Sequence, residues 1–91
     1  MFEITYHHKV FEDIFSISSS HKNTIKKAIE EKLMKQPEFF GKPLQFSLIG
    51  LRSMRVGDYR VIFKLKKKEV FIVLIAHRSI VYKGVNKRTL K

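Results

Sequence analysis

Five side chains in the second half of the chain have the types and spacing for chemistry on an anion: Arg55, Arg60, His77, Arg78 and Tyr82. A guanidinium presents a planar fork of donors, which matches a phosphate better than an ammonium does. Arginines at 52, 55 and 60 bracket the tripeptide Val56-Gly57-Asp58, while His77-Arg78 is followed four residues later by Tyr82. Gly57 suits a tight hairpin, whose turn requires positive φ. With a two-residue loop, Gly57-Asp58, Val56 faces Tyr59 and Arg55 lies directly opposite Arg60. Like charges opposed in this way destabilise a ladder, and a shared anion relieves them. A three-residue turn separates the two arginines instead, leaving each to pair with a carboxylate such as Asp58.

The elements that must position these groups run from Leu51 to Tyr82 and read as a three-strand antiparallel meander. Tyr59, Val61, Phe63 and Leu65 share one face of the middle strand and suit a core, whereas Arg60, Ile62, Lys64 and Lys66 line the other. Lys66 to Glu69 form a polar break, after which Val70 to Ala76 are apolar on both faces, as a central covered strand requires.

Upstream, Phe2, Ile4 and Tyr6 alternate as in a short strand. Val10, Phe11, Ile14 and Phe15 recur at helical spacing between Lys9 and Ile17. A second helix is expected from about Lys22 to Gln36, with Ile25, Ala28, Ile29 and Leu33 on its buried side and Pro37 at its end. The Ser18-Ser19-Ser20 link makes the pair a helical hairpin. Residues 37 to 43 read as a loop whose Phe39-Phe40 pair closes the core edge or stands exposed. A strand is expected to begin near Gln45, and the tail after Tyr82 to be a short helical turn. The result is one α+β domain spanning residues 1–91: an N-terminal strand, a two-helix hairpin, then an antiparallel sheet of three to four strands. The helices cover one sheet face and leave the other for binding.

Composition narrows the chemistry. The chain has no cysteine, which excludes thiolate catalysis and a disulfide framework. His7, His8, His21 and His77 lack the spacing of a metal-ligand cluster, so neither a metal nor another cofactor is expected. No segment approaches the ~20 apolar residues of a membrane helix, and the N-terminus lacks a signal-peptide pattern, so a soluble cytoplasmic protein is expected. Of the net charge of +11, residues 51–91 carry +10, from twelve Lys and Arg against Asp58 and Glu69. Such asymmetry indicates a polyanionic partner, nucleic acid before membrane, although an acidic protein would satisfy the same surface.

The order β-α-α-β-β-β, the phrase RVGDYRVIF (residues 55–63) and the phrase HRSIVY (residues 77–82) together resemble the RelE/ParE superfamily of toxins from bacterial type II toxin–antitoxin systems. The resemblance covers essentially the whole chain and is closest to the RelE-like branch. It implies a RelE-like microbial-RNase-type fold and a toxin that inhibits translation as a metal-independent, ribosome-dependent mRNA endoribonuclease. In such an enzyme the ribose 2′-hydroxyl attacks the adjacent phosphodiester, leaving a 2′,3′-cyclic phosphate and a 5′-hydroxyl. Carried over by motif, Arg60 is the phosphate-binding arginine, Arg78 the general acid or transition-state stabiliser, and Tyr82 the group that orients or deprotonates the nucleophile or stacks on a base.

Leu51 and Ser53 stand where the best-studied RelE pattern has two lysines, and His77 is the available substitute base. His77 is alternatively a partly buried residue serving the backbone, and Tyr82 an aromatic that anchors the tail. Arg52, Arg55, Lys64 and Lys83 complete the expected RNA contacts, with Arg52 facing away from Arg60 by strand alternation. The implied partners are the ribosome with its mRNA and a cognate acidic antitoxin in a hetero-oligomer. Two alternatives share the sequence features: a ParE-like toxin that binds gyrase, and a non-catalytic RNA- or ribosome-binding module.

Overall fold

The computed structural model describes residues 1–44 and 50–89. Strands β1 (Glu3–Tyr6), β2 (Lys42–Pro43), β3 (Leu51–Val56), β4 (Tyr59–Lys66) and β5 (Glu69–His77) form one sheet in the order β1-β5-β4-β3-β2. The meander β3-β4-β5 is antiparallel, as expected. The sheet grows to five strands because β1 joins β5 in parallel, Ile4 opposite Val70, and two residues of the presumed 37–43 loop pair with β3. The strand start expected near Gln45 lies outside the described residues.

Strand alternation sorts the sheet into two unlike faces. Met54, Val61, Phe63, Val70, Ile72 and Ile75 turn toward helices α1 (Val10–Phe15) and α2 (Ser19–Ala28) and pack with Val10, Ile25, Ala28, Ile29 and Leu33. The expected stripe of the second helix is buried throughout. Ser18 caps α2: it is extended (φ −61°, ψ 156°), and its hydroxyl accepts the His21 N–H. The helix continues into a π-helical turn, Ile29–Leu33. Pro37 does more than end it. With no N–H to lose, proline opens a one-turn helix α3 (Pro37–Phe40). Phe40 packs on the core while Phe39 stays exposed, so the two readings of that pair divide between its members. Gly41 is buried where any Cβ would overlap the Phe63 ring.

The opposite face is not left bare. Helix α4 (Val81–Thr89) covers part of it, setting Val81 and Val85 against Leu51, Ile62, Val73, Leu74 and Ala76. The helix comes so close to β5 that a Cβ on Gly84 would lie 3.0 Å from Leu74. The tail is therefore a full helix rather than a turn, and the Val81/Val85 spacing of four is the sequence signal for it.

α4 is tied down by an ion pair across the sheet edge. Beyond Ile72, β5 runs on past the end of β1, exposing backbone groups on that side. Asp13 of α1 accepts the Ile75 N–H at 3.1 Å, and Arg88 of α4 donates to the Val73 carbonyl at 2.8 Å. The two side chains bind each other through both oxygens, at 2.8 and 3.0 Å, with only 13% and 10% of Arg88 and Asp13 exposed. Removing either partner strands a buried charge and frees an edge group. Asp13→Ala and Arg88→Ala should each cost about 3 kcal/mol in denaturant unfolding, with the double mutant well below the sum. Losses under ~1 kcal/mol, or strict additivity, would contradict this role.

Candidate functional site

The β3–β4 register is Arg55 opposite Arg60 and Val56 opposite Tyr59, closed by a two-residue loop with Gly57 at φ 60°. The turn thus takes the form that opposes the two arginines. Their face continues along β4 through Ile62 and Lys64, and along β3 through Ser53 and Leu51. Ser53 is 7% exposed, and its hydroxyl accepts from Arg60 Nη1 at 3.3 Å. Arg55 Nε donates to the Gly57 carbonyl at 3.3 Å. Both guanidiniums are thereby oriented by neutral oxygens, which leave their charge uncompensated.

Arg78 joins them at the same end of the sheet. Its backbone N–H donates to the Asp58 carbonyl at 2.8 Å, and its Nε lies 3.7 Å from the Asp58 carboxylate. With side chains 66% and 67% exposed, that pair is worth little and does not lock the guanidinium. Tyr82, on the first turn of α4, is 53% exposed. It does not anchor the tail; Val81 and Val85 do. Lys83 stands exposed beside it.

Two of the expected residues are not brought to this trough. His77 lies opposite Tyr59 on the face that packs against α1 and α2 and meets its ring edge-on at 5.5 Å; His21 meets the same Tyr59 ring from α2 at 5.4 Å. The His77 Nδ1 accepts the Ser79 N–H at 3.2 Å and lies 2.9 Å from its hydroxyl, so the imidazole caps the turn after β5. Arg52 also faces away, as alternation requires, and donates to the Gly41 carbonyl at 2.9 Å. It fastens the start of β2 to β3. His7 and His8 stack 4.4 Å apart beyond β1, with burial and then the neighbouring charges of His8, Arg88 and Lys9 holding the His7 pKa below its ordinary value. Among the described residues no three His, Cys, Asp or Glu side chains converge as a metal-ligand set.

Sequence reasoning missed Lys42, which the β2–β3 register sets opposite Ser53 and hence on the trough's face. It also missed Ser53 as the support of Arg60. What the arrangement offers chemically is a concentration of donors around a point where two like charges repel. Arg55→Gln removes the repulsion without opening a cavity, and should raise stability by roughly 0.2–1 kcal/mol at low ionic strength, the gain shrinking in salt. Thermal unfolding at two salt concentrations checks this; a loss of stability would mean the pair is not repulsive in the free protein.

Residues 4–82 match the family described as the ParE toxin of the type II toxin–antitoxin system parDE. The curated Toxin RelE of Mycobacterium tuberculosis is 43% identical over 53 residues, a stretch that spans 56% of this chain and 55% of that protein. The chain thus matches about half the length of that relative. In fold, the toxin–antitoxin complex RelBE2 of M. tuberculosis contains a chain superposing with a TM-score of 0.78 at 23% identity, covering 85% of this chain and 98% of that one. A mutant E. coli toxin RelE in its free state superposes with a TM-score of 0.70 at 19% identity, covering 98% of both chains. A family match over most of the chain, together with a sheet that superposes on RelE toxin structures, places this protein among the RelE/ParE-superfamily toxins of type II toxin–antitoxin systems.

Proposed function

We propose that this toxin acts in the cytoplasm as a ribosome-dependent mRNA endoribonuclease and is held inactive in a hetero-oligomer with an acidic antitoxin. The observation that carries the reading is the opposed Arg55–Arg60 pair with Arg78 fixed to the same turn. Cleavage by the 2′-hydroxyl passes through a pentacoordinate phosphorus whose equatorial oxygens gain charge. Preoriented cations stabilise that charge more than they stabilise the ground state. Arg60, held by Ser53, grips the scissile phosphate, and Arg55 shares its charge. Arg78, loosely paired and with its side chain exposed, follows the developing charge toward the leaving 5′-oxygen. Exposed Tyr82 offers a ring for a base to stack on, or a phenol to orient the 2′-hydroxyl.

The antitoxin reading rests on the charge of +10 in residues 51–91 and on relatives solved as RelB–RelE complexes. An acidic segment laid over Arg60 and Arg78 would satisfy the trough's charge and close it to RNA.

One observation favours a second reading. His77 sits on the far face, while Leu51 and Ser53 replace the pattern's lysines, leaving electrostatics as the trough's main contribution. A ParE-like toxin that inhibits gyrase by binding needs no more than that, and the matched family model is of ParE toxins. Induced expression separates the two: codon-phased cuts by primer extension support the nuclease, and loss of supercoiling with intact mRNA supports gyrase inhibition.

Arg60→Ala and Arg78→Ala should each abolish growth arrest and lower cleavage by about 10²–10³-fold, as losing a charge-stabilising donor does elsewhere. The spectra of the folded protein should not change. Full toxicity in both variants would overturn the assignment.

A further inference from the structure

Two strand-to-helix turns in this fold are built on the same device. His7 follows β1: its Nδ1 accepts the Lys9 N–H at 3.1 Å, its carbonyl accepts the Val10 N–H at 3.0 Å, and α1 begins. His77 ends β5: its Nδ1 accepts the Ser79 N–H at 3.2 Å, its carbonyl accepts the Ile80 N–H at 3.0 Å, and α4 begins at the next residue. In each, the imidazole does what an Asn or Asp side chain does in an Asx turn, accepting from the backbone two residues on. A backbone N–H only donates, so the His77 Nδ1 carries a lone pair, which assigns the ring proton to Nε2.

The two turns differ in what they carry. Arg78 lies between His77 and Ser79, and both of its peptide planes are anchored. The plane before it is held by the Arg78 N–H, which donates to the Asp58 carbonyl at 2.8 Å; the plane after it contains the Ser79 N–H that His77 accepts. Two fixed planes set φ and ψ at Arg78, and with them the direction in which its side chain leaves the backbone. The guanidinium itself is exposed and lies 3.7 Å from the Asp58 carboxylate, so order reaches this side chain through its root rather than its tip. The imidazole is set in turn by Tyr59, whose ring it meets edge-on at 5.5 Å, and which His21 meets from α2 at 5.4 Å.

We propose that His77 is a positioning residue for Arg78: from the face that packs against α1 and α2, it fixes the backbone that aims this guanidinium at the trough. This rests on the reading of Arg78 as an RNA-contacting arginine, and it gives His77 a task other than that of general base.

The test measures the affinity of the full-length protein for an uncleavable 2′-O-methyl dinucleotide, on which no general base can act, at a temperature where circular dichroism shows every variant folded. His77→Ala should weaken binding about fivefold, the factor that corresponds to one net hydrogen bond, and should cost nothing further in an Arg78→Ala background. His77→Asn, whose side-chain oxygen can accept the Ser79 N–H, should bind within about twofold of the wild type. His7→Ala loses the matching turn after the other strand and should bind as the wild type does. Without any mutation, proton–nitrogen correlation spectra above neutral pH should show His77 with its proton on Nε2. The proposal is overturned, with the reading of Arg78 intact, if Arg78→Ala weakens binding and any one of four results is found: wild-type affinity in His77→Ala, the same loss from His77→Ala with or without Arg78, the same loss in His7→Ala or in His77→Asn as in His77→Ala, or a proton on Nδ1. Wild-type affinity in Arg78→Ala would remove the reading on which the proposal stands.

Discussion

One ion pair, Asp13–Arg88, ties a helix on each side of the sheet to the open edge of β5. A parallel partner strand satisfies β5 only as far as Ile72, so a polar backbone edge would otherwise lie open beside the core. Unpaired backbone groups at such a margin cost free energy, and the clasp supplies a carboxylate for one and a guanidinium for another. It also joins α1 below the sheet to α4 above it. Two buried valines alone give α4 modest purchase; the ion pair determines where the helix stands. Tyr82 and Lys83 point outward on its first turn because that turn is held down by Val81.

The opposed arginines obey a different logic. The clasp resolves its charges internally, whereas the trough leaves its charges unresolved. Ser53 and the Gly57 carbonyl orient Arg60 and Arg55 without neutralising them, and Asp58 lies far enough from Arg78 to be a weak competitor. A site of this kind is less comfortable empty than occupied.

Much of this was legible beforehand, and the failures have physical causes. The Gly57 turn, the face alternation of β4 and the buried stripe of α2 follow from local rules acting on neighbouring residues, so they could be read off. The parallel pairing of β1 could not. It joins residues more than sixty positions apart, and nothing in Phe2-Glu3-Ile4 names its partner. The same distance hid Asp13 and Arg88, each of which reads alone as an ordinary surface charge. His77 was placed next to Arg78 by sequence and on the opposite face by the pleat. Arg52 was read correctly as facing away, yet its work on the Gly41 carbonyl required knowing that β2 exists. Lys42 went unnoticed because a two-residue strand leaves no periodicity to detect.

On the proposed reading Arg55, Arg60 and Arg78 act together on one anion, while Arg52 and Arg88 are committed to the Gly41 carbonyl and to Asp13 and Val73. Nitrogen-15 NMR of the arginine Nε–H groups during titration with an uncleavable dinucleotide reports on each guanidinium separately. Arg55, Arg60 and Arg78 should shift along a single saturation curve while Arg52 and Arg88 stay still. Movement of Arg52 or Arg88 with an unresponsive Arg60 would contradict that reading.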